Sequence, residues 1–461
     1  MNIKHRGMND RRALGVLLDF IQDTQWETMD ESLRNQAKKC FLDLASVLCC
    51  GAKNNSSKKI ATYVEQNYPK GDVTIYATGK KTNLIGAAMA NGMSANALDL
   101  DDGYSLLRGH PGSGFFGALL SAAEYSNCTY GQLLSAIVVA YEIGIRQGYA
   151  IRDYFTWDHS TGSYSAFATA AAVGKLLGLD SNKLEMALSI ADFIAPVNPA
   201  KRSCYVPSMN KDGIYYGQHA GTQAVIMAMS GITGRNAIIL DDKYIHYIDS
   251  LGEKYYMFDL YIKFYSCCRW AHSPICAISD LMKQYHFFSG DVEKVDVFTF
   301  GNAGTLYRCA PTCEDEAQYN IIYPLAAQLI FGDCGPLESS TTKMLDSRVA
   351  DMVNRIEFHQ YPEYDKLFPA QRLSHVKITL RSGKEYVSEP YEPRGDHNAQ
   401  VSVQSLVEKA HRINELYAPK EMVDSFIDAV LNTDASEPFA KVLNTIKTLS
   451  KTNIHSEIKF I

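Results

Sequence analysis

Residues 84–102 read LIGAAMANGMSANALDLDD. The first thirteen carry no charge, and Gly86, Ala87, Ala88, Ala90, Gly92, Ser94 and Ala95 fall on every side of a helical turn. A helix that is apolar all round is a buried one, and small side chains let neighbouring backbones approach closely. The same composition returns at 113–126, 131–148 and 163–178, and continues through Leu184–Ile194 and Gly217–Gly231. Outer helices follow from apolar residues at helical spacing, Leu14, Leu17, Leu18 and Ile21, then Leu33, Ala37, Cys40, Phe41 and Leu44. Thr161 is expected to cap the 163–178 helix, and Gly178 to close it from the C′ position. The stretch therefore predicts a helical bundle with a tightly packed centre.

The periodicity changes near residue 290. Val292–Phe300 (VEKVDVFTF) and Asn354–His359 (NRIEFH) alternate with period two, as half-buried strands do. The segment 375–387 reads as a hairpin turning at Ser382-Gly383. Helical patterns are expected between these strands at 316–331 and 339–353, and helices return from Val401 through Leu406, Val407, Ala410 and Ile413. The expected class is mainly α: an all-helical domain of residues 1–270 and 400–461, with a smaller α+β domain at 271–399. A chain of 461 residues exceeds what one compact core holds, which agrees with two domains.

Composition narrows the function. The chain is 46% hydrophobic and 21% charged with a formal net charge of −6, and its lysines and arginines are scattered. No basic face for nucleic acid is expected. No run of about 18 apolar residues is long enough to span a membrane. The N-terminal MNIKHRGMNDRR leads into a short apolar run without a small-residue cleavage site, so no signal peptide is expected. The eleven cysteines are dispersed, as reduced thiols of a cytoplasmic protein are.

Polar residues concentrate in five places beside the buried helices. These are Asp99, Asp101, Asp102 and His110; Asp158-His159-Ser-Thr-Gly162; Lys211-Asp-Gly ahead of Gly217; Lys263-Phe-Tyr265-Ser-Cys-Cys-Arg269-Trp-Ala-His272; and Gln318-Tyr-Asn-Ile-Ile-Tyr323-Pro. Each also has a plain alternative: solvated acids, helix caps, or a surface patch of paired charges. DLDDG resembles the start of a calcium loop, but position twelve counted from Asp99 is His110 where such a loop needs Glu. No HxxxH, CxxC, P-loop or GxSxG is present, so no metal is expected. Carboxylates, imidazoles, lysines and an arginine together suit an anionic substrate, with cations holding carboxylates and Asp or His moving protons.

In their order, ALDLDDG, GHPG, DHSTG, the Lys211 element, KFYSCCRWAHSPI and the Tyr323-Pro element resemble the MmgE/PrpD family of 2-methylcitrate dehydratases, cis-aconitate decarboxylases and iminodisuccinate epimerases. The resemblance spans about residues 10 to 450. It implies a homodimer with a cleft between the two domains, a small carboxylate substrate, and neither metal nor organic cofactor. It implies catalytic roles for Asp99, His110, His159, Lys211 and Lys263, and substrate contacts from Tyr265, Arg269, His272 and Tyr323. Three departures stand at positions where substrate contacts are expected. Gly103 replaces a polar residue common in relatives, the Asp99–His110 spacing is longer by one than in the decarboxylases, and Lys201, Arg202 and Tyr205 cluster in one segment. The expectation is a cofactor-independent hydro-lyase on a tricarboxylate such as 2-methylcitrate, with a decarboxylase, an epimerase of a dicarboxylate and an inactive binding homologue as the alternatives.

Overall fold

Asn83 begins the helix Leu84–Asn96, its side chain accepting from the Gly86 amide at 2.9 Å. A computed structural model describes residues 8–396, 399 and 401–454. In it every residue of this helix except Ile85 is buried. Neighbouring helices Phe116–Ser126, Gly162–Leu176 and Ile214–Met229 come in on its sides or on one another through glycines. A Cβ on Gly117 would lie under 3.0 Å from the backbone of Asn91 and Gly92, and one on Gly217 under 3.0 Å from the Gly162 carbonyl. Gln218 joins two of these helices across the packing, donating to the Ser113 carbonyl and accepting from the Ala118 amide, both at 2.6 Å. The long helix Tyr130–Phe155 opens on a capping box between Thr129 and Gln132 and packs on Gly162–Leu176.

Gly178 takes φ +67° just past the end of Gly162–Leu176, as expected of a C′ residue. Thr161 does not cap that helix. Its hydroxyl accepts from the His110 amide and donates to Asp212, each at 3.1 Å, because both partners are buried beside it.

The strands lie where period-two alternation puts them. A four-stranded sheet runs in the order Ile356–Gln360, Val292–Thr299, Ser374–Leu380, Glu385–Val387. The first pair is parallel and the other two antiparallel, with Gly383 at φ +82° in the hairpin turn. Helix His272–Tyr285 packs on the sheet and Tyr323–Phe331 on that helix. The two continuous helices expected here are broken. Asn320 Oδ1 accepts from the Ile322 and Tyr323 amides at 2.8 Å, which ends Glu314–Gln318 and starts Tyr323–Phe331 with Pro324 in its first turn. Asp346 likewise caps Ser347–Val353 after Thr341–Met344. Periodicity continues across both breaks, so only the caps locate them.

The protein is thus mainly α with a smaller α+β region. One apolar cluster unites the helices with Val403–Asn414, Lys420–Asn432 and Ala440–Lys451, which close over Glu31–Gly51. Another fills the α+β region and takes in Cys204, Tyr265 and Cys267, so the segments around 204 and 265 join the two. No helix among the described residues is long and apolar enough to cross a membrane.

Close approach at Gly117 leads to a contrast in stability. Gly117→Ala should lower the free energy of unfolding by about 1–3 kcal/mol, since backbone cannot yield to the methyl group. Gly15→Ala, with nothing within 4 Å, should raise it by about 0.5–1 kcal/mol as a helix-interior alanine. Urea denaturation of both variants checks the difference.

Candidate active site

The acidic loop begins where the Leu84–Asn96 helix ends, and a helix C-terminus leaves carbonyls without partners and carries partial negative charge. Here five successive carbonyls, 96 to 100, each accept from a distant side chain. Lys211 Nζ donates to Asn96 O at 3.2 Å and Ala97 O at 3.1 Å, and Gln318 Nε2 also reaches Ala97 O at 3.0 Å. Ser266 Oγ donates to Leu98 O at 2.5 Å, Lys263 Nζ to Asp99 O at 3.0 Å, and Lys409 Nζ to Leu100 O at 2.8 Å. Asp99 is held at φ +51°, a left-handed conformation rare outside glycine.

That backbone aims the carboxylates at one imidazole. His110 Nδ1–H donates to Asp101 Oδ2 at 2.9 Å, and its Nε2 stands 3.6 Å from Asp99 Oδ1. Lys263 Nζ pairs with Asp99 Oδ2 at 3.1 Å. Asp101 also accepts from Ser113 Oγ at 2.7 Å and Asn96 Nδ2 at 2.9 Å. Burial and Lys263 work against a charged His110, but Asp101 and Asp99 outweigh them and raise its pKa. Burial would lift Asp101, yet His110, Lys263 and Ser113 hold it well below the carboxylate range. Asp102 differs. Burial, with Asp101 and Asp43 close by, pushes it up to about 7 although Tyr141 and the Gly112 amide both donate to it. Burial lowers Lys263, but Asp99 and Asp101 raise it further, so it stays an ammonium ion. Asp99, Asp101 and His110 each place one donor atom within 4.8 Å of the others, a spacing that suits a cation, and the Lys263 ammonium stands against it. Asp296, Glu357 and His359 form a similar group on the sheet, where Lys294 reaches both carboxylates.

His110 and Lys263 open onto a narrow cavity with about 50 Å³ of room for solvent. Its walls include Arg108, Asp158, Lys201, Asp212, Tyr261, Arg269, Trp270, Tyr319 and Arg372. Arg108, Arg269 and Arg372 each keep a buried Nε–H without an acceptor, and the buried Tyr319 hydroxyl has no partner among the described residues. Such donors cost free energy unless a ligand satisfies them. Arg108 is itself held at φ +55°.

Of the nine residues singled out from sequence, His110, Lys263 and Arg269 line this cavity, and Asp99 lies directly behind the first two. Arg269 is also tied to the Arg394 and Pro393 carbonyls and to Asp396. His272 stands behind it, donating from Nε2 to the Cys267 carbonyl at 3.0 Å, and burial with Arg269 and Lys263 lowers its pKa so far that it stays neutral. Lys211 is outside the lining, with its ammonium turned to the helix carbonyls and to Gln318. His159 is also outside it, with Ser163 at Nδ1 and the Gly148 carbonyl 3.3 Å from Nε2. Tyr265 packs against His272, and Tyr323 donates to the Glu338 carbonyl.

Gly103 has a steric reason. It pairs with Tyr261 in a short antiparallel ladder, and a Cβ there would lie under 3.0 Å from the Tyr261 ring, which itself lines the cavity. The glycine makes space for an aromatic wall. Sequence reasoning missed Tyr319, Asp212 and Arg372. Tyr319 and Asp212 sit beside residues already singled out; Tyr319 precedes the break at Asn320 and lines the cavity, while Tyr323 follows it and turns to the Glu338 carbonyl. Arg372 stands in no motif. Its guanidinium donates to Ser105 Oγ at 2.7 Å and Ser105 O at 3.0 Å, across the sequence from the acidic loop.

Comparison with known proteins matches two family models in tandem. The MmgE/PrpD N-terminal domain covers residues 16–253, and the MmgE/PrpD C-terminal domain covers residues 265–435. A cis-aconitate decarboxylase of Aspergillus terreus is 25% identical over 407 residues, 78% of this chain and 81% of that protein. A cis-aconitate decarboxylase-like protein of Aspergillus oryzae is 21% identical across 93% of this chain and 96% of its own length. The human cis-aconitate decarboxylase is 22% identical, covering 80% of this chain and 81% of its own.

Two outcomes follow from this geometry. His110, raised by its carboxylates, stabilises the fold at low pH, and that contribution fades as pH rises through its folded value; Asp101, depressed, stabilises it at higher pH, and that contribution fades as pH falls. Asp101→Asn removes the negative charge beside Nδ1 while keeping an amide oxygen there, so the His110 midpoint should drop, read by NMR titration of labelled histidine. Gly103→Ala should displace the Tyr261 ring and cost about 1–3 kcal/mol, read by urea denaturation.

Proposed function

The chain belongs to the MmgE/PrpD family, and we propose that this protein is a lyase that acts on a di- or tricarboxylate by proton transfer at a carbon next to a carboxylate. The observation that carries the proposal is His110, oriented by Asp101 and flanked by Asp99 and Lys263, opening onto a cavity where buried arginines and Tyr319 keep donors without acceptors. Carboxylates supply the acceptors such donors lack. The relatives are named for cis-aconitate, so decarboxylation of cis-aconitate is the reaction this reading places first, ahead of dehydration of 2-methylcitrate.

In decarboxylation the bond to one carboxylate breaks, CO2 departs, and its electron pair is left on a carbon framework conjugated to another carboxylate. Lys263 and the cavity arginines stabilise that charge, at strength, because the site is buried. A proton then completes the product at carbon. His110 is the donor in this reading: Asp101 holds Nδ1–H, the ring lines the cavity with Nε2 3.6 Å from Asp99, and the raised pKa keeps the ring charged to a higher pH than an ordinary histidine. Water returns the proton to the ring. Lys211 and His159 support the site from behind, Lys211 through the loop carbonyls and His159 through the Ser163 turn that leads into the Gly162–Leu176 helix.

Incubation with cis-aconitate in D2O tests the proposal by proton NMR. The expected outcome is loss of CO2, a product deuterated at one carbon, and a rate that declines as pH rises through the His110 midpoint. His110→Gln and Lys263→Met should each slow turnover by about 100-fold or more. Deuterium exchange of a dicarboxylate with neither CO2 nor water released would replace this reading with an epimerase.

A further inference from the structure

Lys409 lies on the helix Val403–Asn414, some 310 residues beyond the acidic loop, and belongs to none of the motifs that pointed to the site. It is buried, with 2% exposure. Its ammonium pairs with the equally buried Asp43 at 2.6 Å and donates to the Leu100 carbonyl at 2.8 Å. Leu100 is the residue between Asp99 and Asp101. The left-handed turn at Asp99 directs one carboxylate to Nε2 of His110, and the following peptide directs the other to Nδ1. The Leu100 carbonyl is the hinge between them, and Lys409 is the donor that holds it.

We propose that Lys409, fixed by Asp43, is a positioning residue for catalysis: it clamps the Leu100 carbonyl and so sets Asp99 and Asp101 on either side of His110. The proposal rests on the reading of His110 as proton carrier, and it adds a residue outside the cavity to that reading. Burying a lysine and an aspartate together is a poor route to stability compared with an apolar pair of similar size. The pair is explained by what its third contact holds.

The charged groups around the pair are Asp101, Asp102 and Arg412, and those around His110 are Asp99, Asp101, Asp212 and Lys263. The test variant is therefore charge-balanced: Asp43→Asn with Lys409→Met strands no buried ion and leaves the net charge near Asp101 unchanged. Two readouts are taken on the full chain, the His110 midpoint by NMR of 13C-labelled histidine, assigned with His110→Gln, and kcat and KM with cis-aconitate. With the clamp gone, Asp101 is held less closely to Nδ1, so the midpoint should move down. The kcat should fall by about tenfold or more with KM changed by less than about threefold, as expected when a proton carrier is misplaced. Lys409→Arg, which keeps a donor and a cation, should preserve both values more nearly. A folded double variant whose His110 midpoint matches the wild type overturns the proposal, whatever its kcat. Should that variant not fold, Asp43→Asn with Lys409→Gln substitutes an amide pair too short to reach Leu100, and the same two outcomes decide. If the wild type leaves cis-aconitate untouched, the reaction proposed above fails while the His110 titration still decides the role of Lys409.

Discussion

Five carbonyls at the end of one helix hold this structure's chemistry in place. The helix Leu84–Asn96 runs into the protein's interior and stops there, with its negative end buried and followed at once by three aspartates. Water cannot reach the carbonyls of residues 96–100, so donors must come from the protein. They come from Lys211, Gln318, Ser266, Lys263 and Lys409, on four widely separated parts of the chain. Three of the five are ammonium groups, which offset both the helix dipole and the acids. The loop can adopt its left-handed turn at Asp99 only because all of these segments converge on it.

This concentration of charge is costly. Asp43, Asp99, Asp101, Asp102, Lys263 and Lys409 are all buried, and desolvating each ion costs several kcal/mol before pairing returns part of it. Burial is also what makes the site useful. It pushes Asp102 toward neutrality, while Asp101 and His110, one hydrogen bond apart, keep their opposite charges against burial through each other and through Lys263 and Asp99. The glycine-mediated packing of the surrounding helices supplies the rigid, dry frame such an arrangement needs. Asp99, Lys211 and Arg108, three of the seven non-glycine residues at positive φ among the described residues, lie in the walls and supports of the cavity.

Much of this is legible in the amino-acid sequence. Small residues on every face of 84–96 require burial, and period-two alternation at 292–300 requires a strand, because both follow from side-chain geometry alone. Asp99, His110, Lys263 and Arg269 stood out as polar groups set against apolar helices. The breaks within 316–331 and 339–353 were not legible, since the apolar period runs through them and only Asn320 and Asp346, acting as caps, interrupt it. Gly103 read as a missing polar contact, because sequence does not show that Tyr261 lies across the ladder from it.

By itself, then, the amino-acid order determined the helical bundle, the strands and the chemical kinds of residue available, since these depend on local periodicity and side-chain type. Which of those residues meet was decided by tertiary structure. Lys211 and Lys263 look alike in sequence, but one faces helix carbonyls and the other Asp99 beside the cavity. Tyr319 and Tyr323 stand four residues apart, but only the first lines the cavity with His110. Lys409 carries no signal at all, and only the closing of the last helices over Glu31–Gly51 brings its ammonium to Leu100. Long-range contact is a property of the folded packing, and no local pattern encodes it.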